Sequence, residues 1–432
     1  MRASRPPGDY RQSGSIVESA QLRYSSPLLT LLSALLAQAC ALGLVGCGSP
    51  SQRASSLSYD SAGVRLVKNT EGRWASPLWM DEGSATLIIG SVEGEEKYLF
   101  SGIAGLAPLP SGEIAVVDRG AKEIRIFDPE GRFVRSTGRD GDGPGEYRDP
   151  RLMGLFRGDS LAVWDARHHT LTVLDPKGQL SRVHRLAGPH GTPIPYSVLA
   201  DGGLVGIFPT PRILPPPDGA SFTDTFNIWT LDPESLQRAF LAAAPAAQWQ
   251  VFEGVPGHIP FTTPPAIAAH GDRVFITEPD LPEVFVFSAR GKLLERWSIP
   301  VTRVPVRESD AEAARTAAVL RAHSSRRDFE ARRWRELRLP RFRPYFDRVL
   351  THGRGGLAIR SYFAPGDSIQ LWHLLDPQGE YLGPLALPPG VDLRYIANDR
   401  FLAVLTDSLG VERVLILSAD KEDTFRPGPG TG

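Results

Sequence analysis

The chain has 432 residues, of which 41% are hydrophobic and 22% are charged, and its formal net charge is −1. This length is enough for a well-buried core and allows either two or three ordinary domains or one large all-β domain. A net charge near zero excludes an overall field that attracts nucleic acid or anionic lipid. The two cysteines are Cys40 and Cys47, so the sequence after Cys47 has no disulfide, no thiolate metal site and no cysteine nucleophile.

An export signal is predicted at the N-terminus. Residues 28–46 form an apolar run that Cys47 follows at once, and we interpret residues 1–47 as a signal peptide. The residues from Leu44 to Cys47 resemble a bacterial lipobox, which implies that Cys47 carries a lipid. The alternatives are a single transmembrane anchor and an unlipidated signal. Because Gly48 and not aspartate follows the cysteine, we expect a lipoprotein of the outer membrane, periplasm or cell surface.

An internal repeat fills most of the remaining sequence, between a polar segment at 48–61, predicted to be a flexible tether, and a polar tail at 421–432, predicted to be disordered. The copies are residues 110–139, 157–186, 201–241, 270–300, 353–387 and 397–420. Each copy alternates short apolar runs with Gly/Asp turns, as short antiparallel strands do. The motif D-P-x-G starts at Asp128, Asp175 and Asp376 and has the residues of a tight hairpin turn. We therefore predict an all-β fold over residues 62–420, a six-bladed β-propeller with four-stranded blades.

The last repeat has three evident strands, which end near Ser418. Residues from Thr86 to Gly90 align with an outermost strand but have no blade before them. We predict that this N-terminal strand completes the sixth blade, because circular closure removes exposed sheet edges. The alternative is that Val64 to Lys68 pairs into a blade instead.

The stretch GRDGDGPGEY, residues 138–147, has the composition of a phosphate cradle, a metal loop or a plain connection. It lacks G-K-[ST] and a following helix, and Pro144 occupies a ligand position of an EF-hand. The repeat alignment places it between blades one and two. We interpret it as a structural turn in which Glu146 or Tyr147 holds neighbouring blades together.

The motifs at Gly112–Asp118, Ile124–Gly131 and Gly138–Tyr147 resemble those of bacterial six-bladed β-propeller lipoproteins, which are related to NHL-repeat propellers and share the TolB-like propeller superfold. The resemblance covers about residues 62–420 and is strongest over the first two blades. It implies the fold. It implies no reaction, because propellers host many unrelated functions.

Three long segments without strand character are predicted at 209–225, 243–263 and 302–345. The propeller topology places all three on one face, where binding sites usually lie. In the third segment, Ser309 to Glu312 reads as a capping box, so we predict a helical insertion over about residues 305–340.

The helical insertion continues into an arginine-rich stretch that includes Arg332, Arg333, Trp334 and Arg335. One interpretation is a basic, aromatic-lined lid for an anionic ligand. The other is a solvated helix whose arginines pair with acidic residues of the same segment.

A second set of candidate binding residues lies at the ends of second strands, on the same face. These residues are Asp118, Asp165, Glu278, Tyr362 and Asp407, with His168 in one of the turns. Carboxylates that converge from several blades could bind Ca²⁺. Alternatively, each aspartate accepts backbone N–H bonds within its own turn.

We expect a non-enzymatic, lipid-anchored module that binds a protein, peptide or glycan of the cell envelope, as a monomer without a cofactor and without nucleic acid. The alternative is a Ca²⁺-dependent hydrolase or lactonase resembling gluconolactonase-type propellers, in which Glu, Asn and Asp hold Ca²⁺. The sequence departs from that ligand set: its asparagines are Asn69, Asn227 and Asn398, of which Asn69 precedes the blades and Asn227 lies inside a predicted third strand. An all-carboxylate ligand set stays open. A third interpretation is a structural or sensor module that a partner recognises.

Overall fold

The structure is a computed structural model that describes residues 56–188, 191–208, 216–397 and 400–418. Before the first blade lie the strands β1 (Ser56–Ser61), β2 (Val64–Asn69), β3 (Leu78–Trp79) and β4 (Ala85–Ile89). Blade one consists of β5 (Ile103–Pro108), β6 (Ile114–Asp118), β7 (Glu123–Phe127) and β8 (Phe133–Thr137). Blade two consists of β9 (Pro150–Phe156), β10 (Ser160–Asp165), β11 (Thr170–Leu174) and β12 (Leu180–Arg185).

Blade three consists of β13 (Ile194–Val198), β14 (Leu204–Ile207), β15 (Ser221–Leu231) and β16 (Arg238–Phe252), followed by β17 (Val255–His258). Blade four consists of β18 (Ala266–His270), β19 (Arg273–Thr277), β20 (Glu283–Ser288) and β21 (Leu293–Ser298). The helices α1 (Glu308–Arg321) and α2 (Arg327–Glu336) follow. Blade five consists of β22 (Phe346–Thr351), β23 (Leu357–Ser361), β24 (Gln370–Leu375) and β25 (Tyr381–Leu387), and blade six of β26 (Val391–Ala397), β27 (Arg400–Thr406) and β28 (Glu412–Ser418) with β4.

These sheets confirm the predicted six-bladed propeller. The first strands of neighbouring blades contact one another around a closed ring, from β5 through β26 and back to β5. The predicted closure is also confirmed, because β4 pairs antiparallel with β28, with Ile88 opposite Leu415. Val64 to Lys68, the alternative closing strand, instead lies in β2, which pairs in parallel with β21 on the outside of blade four.

The D-P-x-G turns form as predicted. In each, the aspartate Oδ1 accepts two backbone N–H bonds; for Asp128 the donors are Glu130 at 3.1 Å and Arg132 at 2.8 Å. Gly379, in the third such turn, has a φ of +84°, and a Cβ there would lie 2.4 Å from the ring of Trp297. Only glycine fits at this position, because the turn from blade five packs directly on an aromatic ring of blade four.

The hydrophobic core is divided into layers between neighbouring blades. One layer joins Val117 and Ile126 of blade one to Leu161 and Val163 of blade two. Asn69, at the end of β2, links blades four and five by hydrogen bonds. Its side-chain amide donates to the carbonyls of Ser298 and Gly379 at 2.8 and 2.9 Å. The N-terminal strands therefore fasten blade four to blade five.

Two sequence predictions need correction. The tether was expected to reach residue 61, but Ser56–Ser61 forms β1, which pairs with β2 along its whole length. The segment 243–263 was expected to be a connection, but most of it belongs to β16 and β17. Residues 221–225 of β15 pair with residues 245–250 of β16, and together with β17 they form what we call the β-extension. The predicted signal peptide, Cys47 and the tail at 421–432 lie outside the described residues.

The topology gives the propeller two distinct ends. The looped face carries the connections between second and third strands and those between blades, including 138–149, 253–265, 299–345 and 362–369. The short-turn face carries the turns between first and second strands and between third and fourth strands. The predicted segment 302–345 lies on the looped face, and 243–263 reaches it through the end of β16 and β17. Residues 209–215 of the first predicted segment lie outside the described residues.

Candidate functional site

Asp118, at the end of β6, accepts hydrogen bonds from its own turn and from Ser101 in the connection that enters blade one. Its carboxylate is 0% exposed and accepts the N–H groups of Gly120 at 3.0 Å and Ala121 at 3.2 Å. The buried guanidinium of Arg125 lies 3.6 Å away. This arrangement satisfies a buried charge locally.

Asp165 has the same role in blade two. Its carboxylate accepts N–H groups on both sides, from Arg148 at 2.6 Å and from His168 at 2.9 Å among others. Burial by itself would raise the pKa of Asp165, but the backbone donors outweigh it and the pKa is lowered. Asp165 thereby ties the second-strand turn to the connection that enters blade two.

His168 contacts the GRDGDGPGEY connection. Its Nε2 lies 2.9 Å from Asp142 Oδ1, and Arg148 Nε also donates to that oxygen at 2.9 Å. The hydrogen bonds from Arg148 and His168 hold the pKa of the exposed Asp142 carboxyl well below its usual range. The connection thus forms a small ionic network at the rim of the looped face.

The structural role expected for GRDGDGPGEY is confirmed. Glu146 Oε2 accepts the N–H of Gly143 at 2.9 Å, which closes the turn. Tyr147 is buried in the layer between blades one and two. Gly138 has a φ of +91°, and a Cβ there would lie 2.7 Å from the Tyr147 ring.

The remaining second-strand positions have three different surroundings. Asp407 accepts the N–H groups of Leu409 and Val411 at 2.9 and 3.0 Å. Glu278 is buried, with 3% of its surface exposed. Tyr362 packs with Phe261, at 6.3 Å between ring centroids, and burial raises its pKa. Within the described ranges, no three His, Cys, Asp or Glu residues are grouped so that they could hold a metal ion.

The helical insertion is attached to the β-extension. The rings of Phe252 in β16 and Phe329 in α2 are 5.3 Å apart. The amide of the buried Gln250 donates to the carbonyl of Glu336 at 3.1 Å and accepts the N–H of Arg338 at 3.3 Å. The β-extension, α1 and α2 together form what we call the looped-face platform.

The candidate arginines of α2 differ in their partners. Arg332 pairs with Glu253, in the turn between β16 and β17, at 3.1 Å, and Arg333 pairs with Glu330 at 2.9 Å. Trp334 packs against a small cluster with Phe261 and Ala314. Arg335 is exposed and has no ion pair within the described part of the chain.

The start of α1 differs from the predicted capping box. The helix begins at Glu308, one residue before Ser309, and the carboxylate of Asp310 accepts the N–H of Arg307 at 2.9 Å. Asp310 also pairs with Arg343 at 2.8 Å, and Arg343 pairs with Asp367 of blade five at 2.9 Å. This bridge anchors both ends of the insertion to the looped face.

Two arginines at the centre of the propeller were not identified from the sequence. Arg348 in β22 and Arg394 in β26 line a central cavity of about 630 Å³. Both pair with Asp392, and the distance from Arg394 Nη2 to Asp392 Oδ2 is 2.9 Å. The first strands of other blades carry small residues beside the cavity, such as Gly154 and Ala268, whereas β22 and β26 each carry an arginine there.

Neither α-helix of the described residues is long and apolar enough to cross a bilayer.

Comparisons with known proteins agree with this architecture. Residues 91–169 match the model of a family described as a 6-bladed beta-propeller. These residues include blade one and the first two strands of blade two. No curated protein matches the chain.

Several solved structures are similar over most of the chain. A Bacteroides fragilis protein described as exported is 12% identical, with a TM-score of 0.46, over 82% of this chain and 100% of its own. A member of the duf4221 family from Bacteroides vulgatus is 10% identical, with a TM-score of 0.48, over 77% and 96%. A gluconolactonase from Xanthomonas campestris is 12% identical, with a TM-score of 0.40, over 77% and 98%. The ring of six blades and the family match identify the chain as a six-bladed β-propeller.

Proposed function

We propose that the chain is an exported, lipid-anchored binding module that holds an acidic protein or peptide of the cell envelope on its looped face. The observation that carries the proposal is a surplus of positive charge at α2 and the residues that follow it, since residues 326–343 contain eight arginines and three carboxylates. Between residues 326 and 343, ion pairs within the described residues involve Arg332, Arg333 and Arg343. The arginines without one are Arg326, Arg327, Arg335, Arg338 and Arg341. Guanidinium groups in such a cluster attract carboxylates and raise the rate of encounter with an acidic partner.

Exposed aliphatic side chains on the same face favour a polypeptide over a glycan. Leu409 is 83% exposed and Leu320 is 65% exposed. Val92, Val255, Val304 and Ile369 are further large apolar residues exposed on this face. The large exposed aromatic residues, Tyr59, Trp79 and Phe240, lie instead on outer strands. Aliphatic surface beside arginine suits a protein interface, whereas glycan binding favours exposed aromatic rings for stacking.

Export and lipidation rest on the N-terminal sequence. The apolar run and the lipobox-like residues that end in Cys47 support them, and a structurally similar protein is described as exported. The test is incorporation of labelled fatty acid into the full chain and into Cys47→Ala in a bacterial host. Label in the wild type and none in the variant is expected, and equal labelling would contradict lipidation at this residue.

Binding is tested with the full chain, purified in a non-ionic detergent, and a fluorescent poly-glutamate peptide. The double variant Arg335→Gln/Arg338→Gln should weaken binding by about fivefold, because two exposed ion pairs contribute roughly 1 kcal/mol together. Lys177→Gln/Arg290→Gln removes the same charge from the short-turn face and is the matched control. Equal weakening in both variants would contradict a site on the looped face. Tighter binding of an acidic polysaccharide than of the peptide would contradict a polypeptide partner.

The Ca²⁺-dependent hydrolase is tested separately by thermal unfolding of the same preparation after EDTA treatment and after addition of Ca²⁺. A site filled at 100 times its Kd stabilises the fold by about 2.7 kcal/mol. The binding module predicts no Ca²⁺-specific rise in Tm. A selective rise that disappears in Glu278→Gln would favour the hydrolase instead.

A further inference from the structure

The cavity at the centre of the propeller lies apart from the looped-face platform. First strands of all six blades line it, and its volume is about 630 Å³. It reaches the turns between first and second strands, including residues Gly158, Gly271 and Gly353, and so extends toward the short-turn face. Small residues contribute to the space: Gly154 has no side chain and a Cβ there would meet no atom within 4 Å, and Ala268 presents only a methyl group.

The charged side chains that line this cavity have one sign. They are Arg157, Arg348 and Arg394, accompanied by His270 and His352, and none of the described lining residues is Asp or Glu. Arg157 lies at the rim, where 59% of its side chain is exposed. Arg348 and Arg394 lie deeper, in the middle of their strands.

The two deep arginines share one acidic partner. Asp392 pairs with both guanidinium groups, so two positive charges face one negative charge. The adjacent Arg360 does not correct this, because it forms its own pair with Asp347 at 2.8 Å. Together, Asp392, Arg348 and Arg394 therefore keep a net charge of +1.

A surplus positive charge in this position attracts anions strongly. Burial lowers the pKa of Arg348, and the neighbouring Arg394 and Arg360 act in the same direction, opposed by Asp392. Guanidinium groups nevertheless remain charged in proteins. Arg348 and Arg394 still expose 24% and 28% of their side chains, so a bound anion can reach them.

We propose that the central cavity is a binding site for a small organic oxyanion, a carboxylate or a phosphate, held by Arg348 and Arg394. Planar guanidinium groups bind both oxyanions through paired hydrogen bonds. The volume falls within the range of roughly 300–1,000 Å³ found for small-molecule sites. Leu106, Ile267 and Leu350 provide apolar walls, and Tyr196 and Tyr395 provide two rings with a hydroxyl group. The ligand therefore combines an anionic head with an apolar or ring-shaped body.

The experiment uses three probes that share one ring: benzoate, phenyl phosphate and neutral benzyl alcohol. The full chain in non-ionic detergent is titrated with each probe at matched ionic strength in chloride, by calorimetry and by thermal unfolding. Benzoate, phenyl phosphate or both should bind and raise Tm, and whichever binds tighter distinguishes a carboxylate site from a phosphate site. Benzyl alcohol should give no comparable shift.

Variants assign the binding to the cavity. Arg394→Gln should weaken oxyanion binding by at least about tenfold, through loss of a charge-assisted bidentate contact. Arg290→Gln removes the same charge from the exposed turn between β20 and β21 and should leave the affinity unchanged. If Arg394→Gln fails to fold by circular dichroism, Arg394→Lys keeps the charge without the planar fork and should bind with intermediate affinity.

Three results would overturn the proposal. The first is no binding of either oxyanion to the wild type. The second is an equal effect of benzyl alcohol, which would make the cavity an apolar pocket without anion preference. The third is equal affinity in wild type and in the folded Arg394 variant. None of these results affects the peptide-binding test, because that test changes arginines of the opposite face.

Discussion

The acidic groups of the looped face and the arginines of the central cavity are both charges held inside a rigid ring, but their surroundings differ. Asp118 and Asp165 accept several backbone N–H groups of adjoining loops. Arg348 and Arg394 have one carboxylate between them. The difference shows that a charge at the end of a propeller strand can be satisfied by its turn. A charge in the middle of an inner strand has no turn nearby, so its neutralisation depends on an ion that enters the channel.

The largest expected effect tests the first half of this comparison. Asp118→Ala removes the buried acceptor of the N–H groups of Ser101, Gly120 and Ala121. It also removes one of the two carboxylates beside the guanidinium of Arg125, which keeps Glu123 at 3.3 Å. Buried N–H groups left without an acceptor cost about 1–3 kcal/mol, and several lose theirs here, so the free energy of unfolding should fall by about 3 kcal/mol in urea titrations.

The matched control is Asp407→Ala, which loses two backbone bonds at a turn where no ion pair with Asp407 occurs in the described residues. It should lose less than half as much stability. If Asp118→Ala lost no more than Asp407→Ala, Asp118 would be available to a ligand instead of serving the fold.

The second prediction concerns a histidine that burial keeps neutral. His373 in β24 lies within 2.9 Å of the Ser361 hydroxyl and 3.0 Å of the Tyr381 hydroxyl. Burial lowers its pKa to about 4. The unfolded chain binds a proton near pH 6.5 and the folded chain does so only near pH 4. Stability is therefore complete above pH 6.5 and is lost as the pH falls from 6.5 to 4, by up to about 3 kcal/mol.

The measurement is the slope of the unfolding free energy against pH between 4 and 6.5. His373→Gln should reduce this slope. His323→Gln removes an exposed histidine and is the control. An equal reduction in both variants would assign the pH dependence to groups other than His373.

The third prediction compares a buried and an exposed contact within the looped-face platform. Gln250→Ala leaves the Glu336 carbonyl and the Arg338 N–H without their partner, which costs about 2 kcal/mol. The helix α2 should then separate more often from the β-extension, and amide hydrogen exchange in α2 should become faster. Gln248→Ala, exposed on the same strand, should leave exchange in α2 unchanged. Unchanged exchange in Gln250→Ala would mean that the aromatic contact of Phe329 alone holds α2 against the β-extension.

Much of this fold follows from local sequence. The D-P-x-G turns at Asp128, Asp175 and Asp376, and the strand without a preceding blade near Thr86, depend on neighbouring residues and on simple counting. The β-extension did not follow, because Ala243 to Ala247 is rich in alanine and contains Pro245, which is unusual inside a strand. Likewise, the pairing of β2 with β21 joins residues far apart in sequence, and no local pattern predicts it.

The candidate sites were predicted less well than the fold. The sequence located the ends of the second strands, but the hydrogen bonds that satisfy Asp118 depend on an adjoining connection that includes Ser101. In the single strands FDRVLT and VDLRYIA, Arg348 and Arg394 resemble ordinary surface residues. Their role is evident only in the folded protein, where β22 and β26 line one channel and the two arginines share Asp392.

The smallest expected effect separates a structural from a ligand-binding role for the central arginines. Without an oxyanion, Arg394→Gln leaves Asp392 and Arg348 as a balanced pair, so the free energy of unfolding in chloride should change by less than about 1 kcal/mol. The same variant should lose the stabilisation by benzoate or phenyl phosphate seen in the wild type. If Arg394→Gln were as damaging as Asp118→Ala in chloride alone, Arg394 would support the ring itself. A near-neutral change with loss of the ligand response would mean that a charge in the channel contributes to stability only when the cavity is filled.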